Sequence, residues 1–123
     1  MAEIQTKIDK DTENFQSNYE FHKNLSSDLE AKIQQIEQMG PPDSVEKHKN
    51  RGKLTVRDRI KILKDKDSDI LEFSQLAAYK TYDDKVPAAG IITGIIRVHG
   101  HDSIIIANDA TVKGGAYYPL TIK

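Results

Sequence analysis

The sequence predicts a mixed α/β chain in which helices lead into a small sheet, and three observations carry that expectation. Apolar residues recur at three and four positions from Phe21 to Ile36, a helical stripe. Two β-branched runs, Ile91 to Val98 and Ser103 to Ala107, flank a short polar turn, as in a hairpin. The last stretch, Asn108 to Pro119, is a turn rich in small residues with one cation, Lys113. Adjacent Gly114 and Gly115 let backbone approach an anion, and a following helix start would aim N–H groups at it.

The elements follow in order. Residues 1–14 alternate charge and polarity with little to bury and read as a flexible lead-in. The stripe Phe21, Leu25, Leu29, Ile33, Ile36 packs on its own protein or on a sister subunit, and the helix stops at Met39-Gly40-Pro41-Pro42. Asp43 or Ser44 caps a second helix through Lys49. Thr55-x-x-Asp58 has the shape of a capping box, with Val56, Ile60 and Leu63 as the buried face of a third helix. Ile70 to Phe73 is a short strand, Tyr79 to Pro87 a loop, and His99-Gly100-His101-Asp102 the hairpin turn. Both hairpin strands read as buried, and the run Ile104 to Ala107 as covered on both faces. The resulting division is 1–14, a helical segment over 15–68, and a sheet-bearing segment over 69–123.

Composition narrows the function. With 30% charged and 37% hydrophobic residues and no tryptophan, the apolar supply is thin for a self-sufficient globule of 123 residues. A chain that reaches Lys123 where a covering helix would begin reads as the front end of something longer. Net charge of -1 gives no global field for nucleic acid or an anionic membrane. Locally, Arg51 to Ser68 holds seven basic residues against three acidic, which is either an anion-binding face or a solvated helix face. No cysteine is present, which removes thiolate chemistry and disulfides. No run of residues is long and apolar enough for a membrane span, and the N-terminus shows no targeting signal, so the cytoplasm is the expected compartment.

Candidate motifs divide by chemistry. His99-x-His101 lacks a third ligand at metal spacing and reads as a turn, and Asp83-Asp84 as a solvated one, so no metal is expected. Asn108-Asp109 ends a buried strand, where Asx side chains cap their own turn or, less simply, line a cleft. Lys113-Gly114-Gly115 is neither a Walker sequence nor a dinucleotide fingerprint; physically it is a generic anion-friendly turn.

Several blocks together resemble a family. Arg51-Gly52-Lys53-Leu54-Thr55 with Arg57 and Arg59-Ile60, Gly90-Ile91-Ile92-Thr93-Gly94-Ile95, and Ala107 through Pro119 resemble the N-terminal part of carboxyltransferase subunits of biotin-dependent acyl-CoA carboxylases. The final block looks most like the β subunits of the methylcrotonoyl-CoA branch. The sequence departs at Pro41-Pro42 and Ala88-Ala89, where the family is more glycine-rich.

The resemblance implies an incomplete crotonase-like domain of β-β-α units. It implies a ligase activity, transfer of CO2 from carboxybiotin to 3-methylcrotonyl-CoA in leucine degradation. Carboxybiotin would come from a biotin-carrying α subunit, and the complete subunits would form a homo-oligomer, in the mitochondrial matrix for a eukaryotic member. The segment would contribute to acyl-CoA binding through Lys113, Gly114 and Gly115 on CoA phosphates, with Arg51, Lys53 and Arg57 as weaker candidates and no catalytic residue here. The alternatives are a non-catalytic assembly module using the first helix, or a truncation product without activity of its own.

Overall fold

The computed structural model describes residues 6–122; Met1 to Gln5 of the expected lead-in, and Lys123, lie outside the described residues. The chain divides into two compact units, 1–32 and 33–123. The first holds most of helix α1 (Glu13–Glu37), which opens where Thr12 accepts from the Phe15 and Gln16 amides through its hydroxyl and carbonyl oxygens. Its stripe residues Phe21, Leu25 and Leu29 are exposed, and Ile36 alone of the helix is buried.

In the second unit, α2 (Pro42–Asn50) starts on Pro41 and Pro42 rather than on an Asp43 or Ser44 side-chain cap. Proline at the first helical position presets φ and has no N–H to leave orphaned, so no side-chain acceptor is needed there. Helix α3 (Val56–Leu63) has the capping box the sequence predicts: the Thr55 hydroxyl accepts from the Asp58 amide, and the Asp58 carboxylate accepts from the Thr55 amide. Val56 and Ile60 are buried, whereas Leu63, expected on the same face, is exposed.

Three antiparallel strands, β1 (Leu71–Phe73), β2 (Ile91–Val98) and β3 (His101–Asn108), form a sheet in the order β1-β2-β3. Val56 and Ile60 of α3 pack on Ile92, Ile96 and Ile105, with Met39, Ile70, Val98 and Ala107 around them. Each such isoleucine contributes about 1.5–3 kcal/mol by leaving water. Gly94 is required by close approach: a Cβ there would lie 2.5 Å from the Leu71 carbonyl oxygen, across the β1–β2 ladder.

Two sequence expectations change at the hairpin. The turn is two residues, not four: His99 (φ 49°) and Gly100 (φ 79°) are both left-handed, as a primed turn demands to match strand twist. β3 is an edge strand with one covered face, so Ile105 is buried while Ile104 and Ile106 are 76% and 71% exposed. Among the described residues no helix is long and apolar enough to cross a membrane.

Asp65 ties α3 to this hairpin. Its two carboxylate oxygens accept from the His99 amide at 2.7 Å and the Gly100 amide at 2.8 Å. The Gly100 amide above all, helped by that of His99, holds the Asp65 carboxyl below its ordinary value. A carboxyl lowered in the folded state contributes stability that is present above its unfolded pKa, about 4, and is lost as pH falls through the lower folded value. Acid titration followed by amide NMR is therefore expected to release the His99 and Gly100 signals with a midpoint below about 4. Asp65→Asn should abolish that step; a midpoint at or above the ordinary value contradicts the assignment.

Candidate functional site

The predicted anion turn is built on a buried polar knot at the end of β3. Asp109 and Thr111 are both buried. The Asp109 amide donates to the Gly90 carbonyl at 3.0 Å, and its Oδ1 accepts from the Thr111 amide at 2.8 Å and the Thr111 hydroxyl at 2.6 Å. Asp109 thus caps its own turn, the simpler of the two roles open to it from sequence. The Thr111 hydroxyl oxygen also accepts from the Gly40 amide at 3.0 Å, which anchors the segment between α1 and α2 to the same knot. Val112 beside it is buried against Gly90.

From that base the chain turns through three consecutive left-handed residues, Lys113 (φ 46°), Gly114 (φ 69°) and Gly115 (φ 85°). The two glycines adopt this region freely; Lys113 does so at a steric cost of about 1–2 kcal/mol. Lys113 and Gly114 are exposed. The Gly115 amide donates to the Val112 carbonyl at 2.9 Å, so that predicted donor is already engaged, whereas the Gly114 amide has no partner among the described residues. The expected helix start is a three-residue 3-10 turn, Pro119–Thr121, whose Pro119 supplies no N–H.

The cation has an aromatic seat. Lys113 Nζ lies 4.9 Å from the centroid of the Tyr118 ring, a contact of about 0.5–1 kcal/mol at an exposed position. Tyr118 leans on Tyr82, with centroids 4.9 Å apart. Its amide donates to the Thr121 hydroxyl oxygen at 2.9 Å, and that hydroxyl donates to the Ala89 carbonyl at 2.7 Å. The Lys113 turn is therefore held at both ends by the 87–90 segment. There Ala88 (φ 48°) and Ala89 (φ 52°) are left-handed. Gly40 and Ala88 also line a cleft of about 370 Å³, walled by Met39, Pro41, Val86 and Pro87 and with Lys85 among its polar residues.

The other candidates sit elsewhere. Arg51 follows α2, and Arg51 and Lys53 are exposed in the α2–α3 connection. Arg57, in the first turn of α3, donates from both Nη atoms to the two Glu72 oxygens at 2.9 and 3.0 Å, so its charge is engaged within the fold. Among the described residues no hydrogen bond or ion pair joins this basic set to the Lys113 turn. His99 is a turn residue and His101 opens β3, and no three potential metal ligands gather among the described residues.

Sequence reasoning missed Gly40, Thr111, Glu72, Tyr82 and Tyr118. Asp109-Ala110-Thr111 carried a readable signal, an Asx turn with a hydroxyl two residues on. The remaining contacts span too much sequence to leave a local trace.

Comparison with known proteins places this geometry. The carboxyl transferase domain family matches residues 47–123. The chain is 40% identical over 121 residues to the probable mitochondrial methylcrotonoyl-CoA carboxylase beta chain of Drosophila melanogaster, covering 98% of this chain and 21% of that one. It is 47% identical over 102 residues to the biotin-dependent 3-methylcrotonyl-coenzyme A carboxylase beta1 subunit of Mycobacterium tuberculosis, covering 83% and 19%. Among solved structures, the P. aeruginosa geranyl-CoA carboxylase beta subunit superposes with a TM-score of 0.69 at 28% identity, over 97% of this chain and 22% of that one. Transcarboxylase 12S with methylmalonyl-coenzyme A bound gives 0.67 at 31% identity, over 76% and 19%. The chain spans about a fifth of the length of the curated relatives it matches. Its helices and three-stranded sheet are part of a crotonase-like carboxyltransferase fold, and by sequence and structure the chain belongs to the carboxyl transferase domain family.

Proposed function

We propose that this chain supplies part of the acyl-CoA-binding wall of a carboxyltransferase that carboxylates a branched α,β-unsaturated thioester, 3-methylcrotonyl-CoA. The observation that carries the reading is the exposed turn of Lys113 and Gly114, rigidly seated on the Asp109–Thr111–Gly40 knot, in a sequence 47% identical to a 3-methylcrotonyl-coenzyme A carboxylase subunit. A lysine ammonium and a free amide on a fixed base suit a CoA phosphate. Gly115 contributes its left-handed backbone rather than a donor. Arg51 and Lys53 are secondary, long-range attractions for the same anion, and Arg57 is the weakest because Glu72 neutralises it.

In this reading residues 15–68 are a helical segment leading into the domain that 69–123 opens, with 1–14 ahead of both. Carboxybiotin, carried by a partner α subunit, supplies the CO2. The chain's own residues do no bond-making. They hold the nucleotide end of the substrate, remote from the reacting carbon, so that binding energy there keeps the acyl group in register. The complete subunits would form a homo-oligomer, in keeping with the hexamer named for transcarboxylase 12S. The compartment would be the cytoplasm, or the matrix where relatives are mitochondrial.

In a complete subunit carrying this sequence, Lys113→Ala is expected to raise KM for acyl-CoA about tenfold, the worth of one charge-assisted hydrogen bond, with kcat within about twofold. A fall in kcat at unchanged KM would place Lys113 at the chemistry and overturn the reading.

A second reading, an assembly module without catalysis, is favoured by the exposed Phe21, Leu25 and Leu29 on α1. Titration with CoA separates the two: saturable binding supports the first and silence the second.

A further inference from the structure

We infer that Tyr118 is a positioning residue for the Lys113 ammonium, holding it where the phosphate end of an acyl-CoA meets it; the inference rests on the acyl-CoA reading proposed above. A lysine on an exposed turn spreads its ammonium over many rotamers, and an anion that recruits it must first order that flexible stem. Lys113 is exposed, yet its Nζ lies 4.9 Å from the centroid of the Tyr118 ring. The ring face attracts the cation through its quadrupole and narrows the spread before any ligand arrives. An ammonium carries three donors and one ring covers only one side of it, so a phosphate can meet the same nitrogen with the ring in place.

The ring has a fixed base and a support. The Tyr118 amide donates to the Thr121 hydroxyl oxygen at 2.9 Å, and the Thr121 amide donates back to the Tyr118 carbonyl at 2.9 Å. The same hydroxyl donates to the carbonyl of buried Ala89, which ties the base of the ring to the interior. Tyr82 leans on the ring at an interplanar angle of 46°, and both tyrosines are half-buried, whereas the adjacent Tyr117 is 61% exposed. The chain thus sets the second of two neighbouring tyrosines against the cation. Lys113 also keeps a left-handed φ of 46°, a strain of the kind that collects at ligand-contacting turns.

The test is kinetic, in the assembled carboxylase whose carboxyltransferase subunit carries this sequence. Tyr118→Leu is expected to raise KM for 3-methylcrotonyl-CoA about two- to fivefold with kcat within about twofold, the change in the fraction of ammonium held in place that an exposed cation–π contact supports. Tyr118→Phe keeps the ring face and should restore the parental KM, and Tyr117→Leu should leave it there. In the Lys113→Ala background Tyr118→Leu should add nothing, because the ring then has no cation to hold. A reading that needs no variant comes from proton NMR of the parent chain, where the Lys113 ε-methylene signals should lie upfield of those of exposed Lys53 through the ring current of Tyr118. Four results would each overturn the positioning role alone: Tyr118→Leu at the parental KM while Lys113→Ala raises it, the same rise with or without Lys113, no rescue by phenylalanine, or Lys113 ε-protons at the Lys53 position. Lys113→Ala at the parental KM would overturn the acyl-CoA reading and this inference with it.

Discussion

Replacing Gly40 with alanine is expected to destabilise the fold by about 3 kcal/mol, as severe overpacking does. A Cβ at this position would stand 2.3 Å from the Thr111 carbonyl oxygen and 2.6 Å from its carbon, both backbone atoms that no rotamer change can move aside. The chain must therefore separate the α1–α2 connection from the 109–112 turn. That separation breaks the bond from the Gly40 amide to the Thr111 hydroxyl and disturbs the buried Asp109 that the same hydroxyl serves. Each buried polar group left unpaired adds about 1–3 kcal/mol. Gly114→Ala is the control, since nothing lies within 4 Å of a Cβ there and only its left-handed φ of 69° opposes the change, by about 1–2 kcal/mol. Urea unfolding of both variants measures the difference. Equal losses would show that the backbones do not approach as closely as described.

Glu72→Ala is expected to cost about 3 kcal/mol, because it strands a largely desolvated guanidinium. The Glu72 side chain is 5% exposed and that of Arg57 23%, and Arg57 Nε already lacks a hydrogen-bond partner among the described residues. Removing Glu72 orphans both Nη donors as well. Arg57→Lys does not preserve the pair, since an ammonium cannot make the two-pronged contact. Arg57→Leu with Glu72→Leu should lose much less than the sum of the single changes, since no buried charge remains. A double-mutant cycle in urea decides; additive losses would mean the two side chains act independently. The pair also bears on function, because a guanidinium committed to β1 is a poor choice for holding a phosphate.

What the sequence made legible was local. Thr55 and Asp58 lie three apart, and the capping box they form needs only that spacing. The bounds of β2 were readable because Gly90 and His99-Gly100 punctuate a run rich in β-branched residues. The burial of β3 was not readable: a run of three isoleucines looks the same whether its second face is covered by this chain or left open. The Gly40–Thr111 contact spans 71 residues and carries no local signature, so Gly40 read only as part of a helix stop when its decisive property is the absence of a Cβ. The candidate anion turn was legible in its residue types but not in its hydrogen bonding. Three successive left-handed residues close it on the Val112 carbonyl and leave one amide without a partner among the described residues where two glycines suggested two.

Isothermal titration of CoA into the chain and into its Lys113→Ala variant addresses the proposed role of the turn most directly. The expected result is one saturable site that weakens about tenfold without the Lys113 ammonium and weakens further with added salt. No saturable heat, or the same affinity in both proteins, would contradict it.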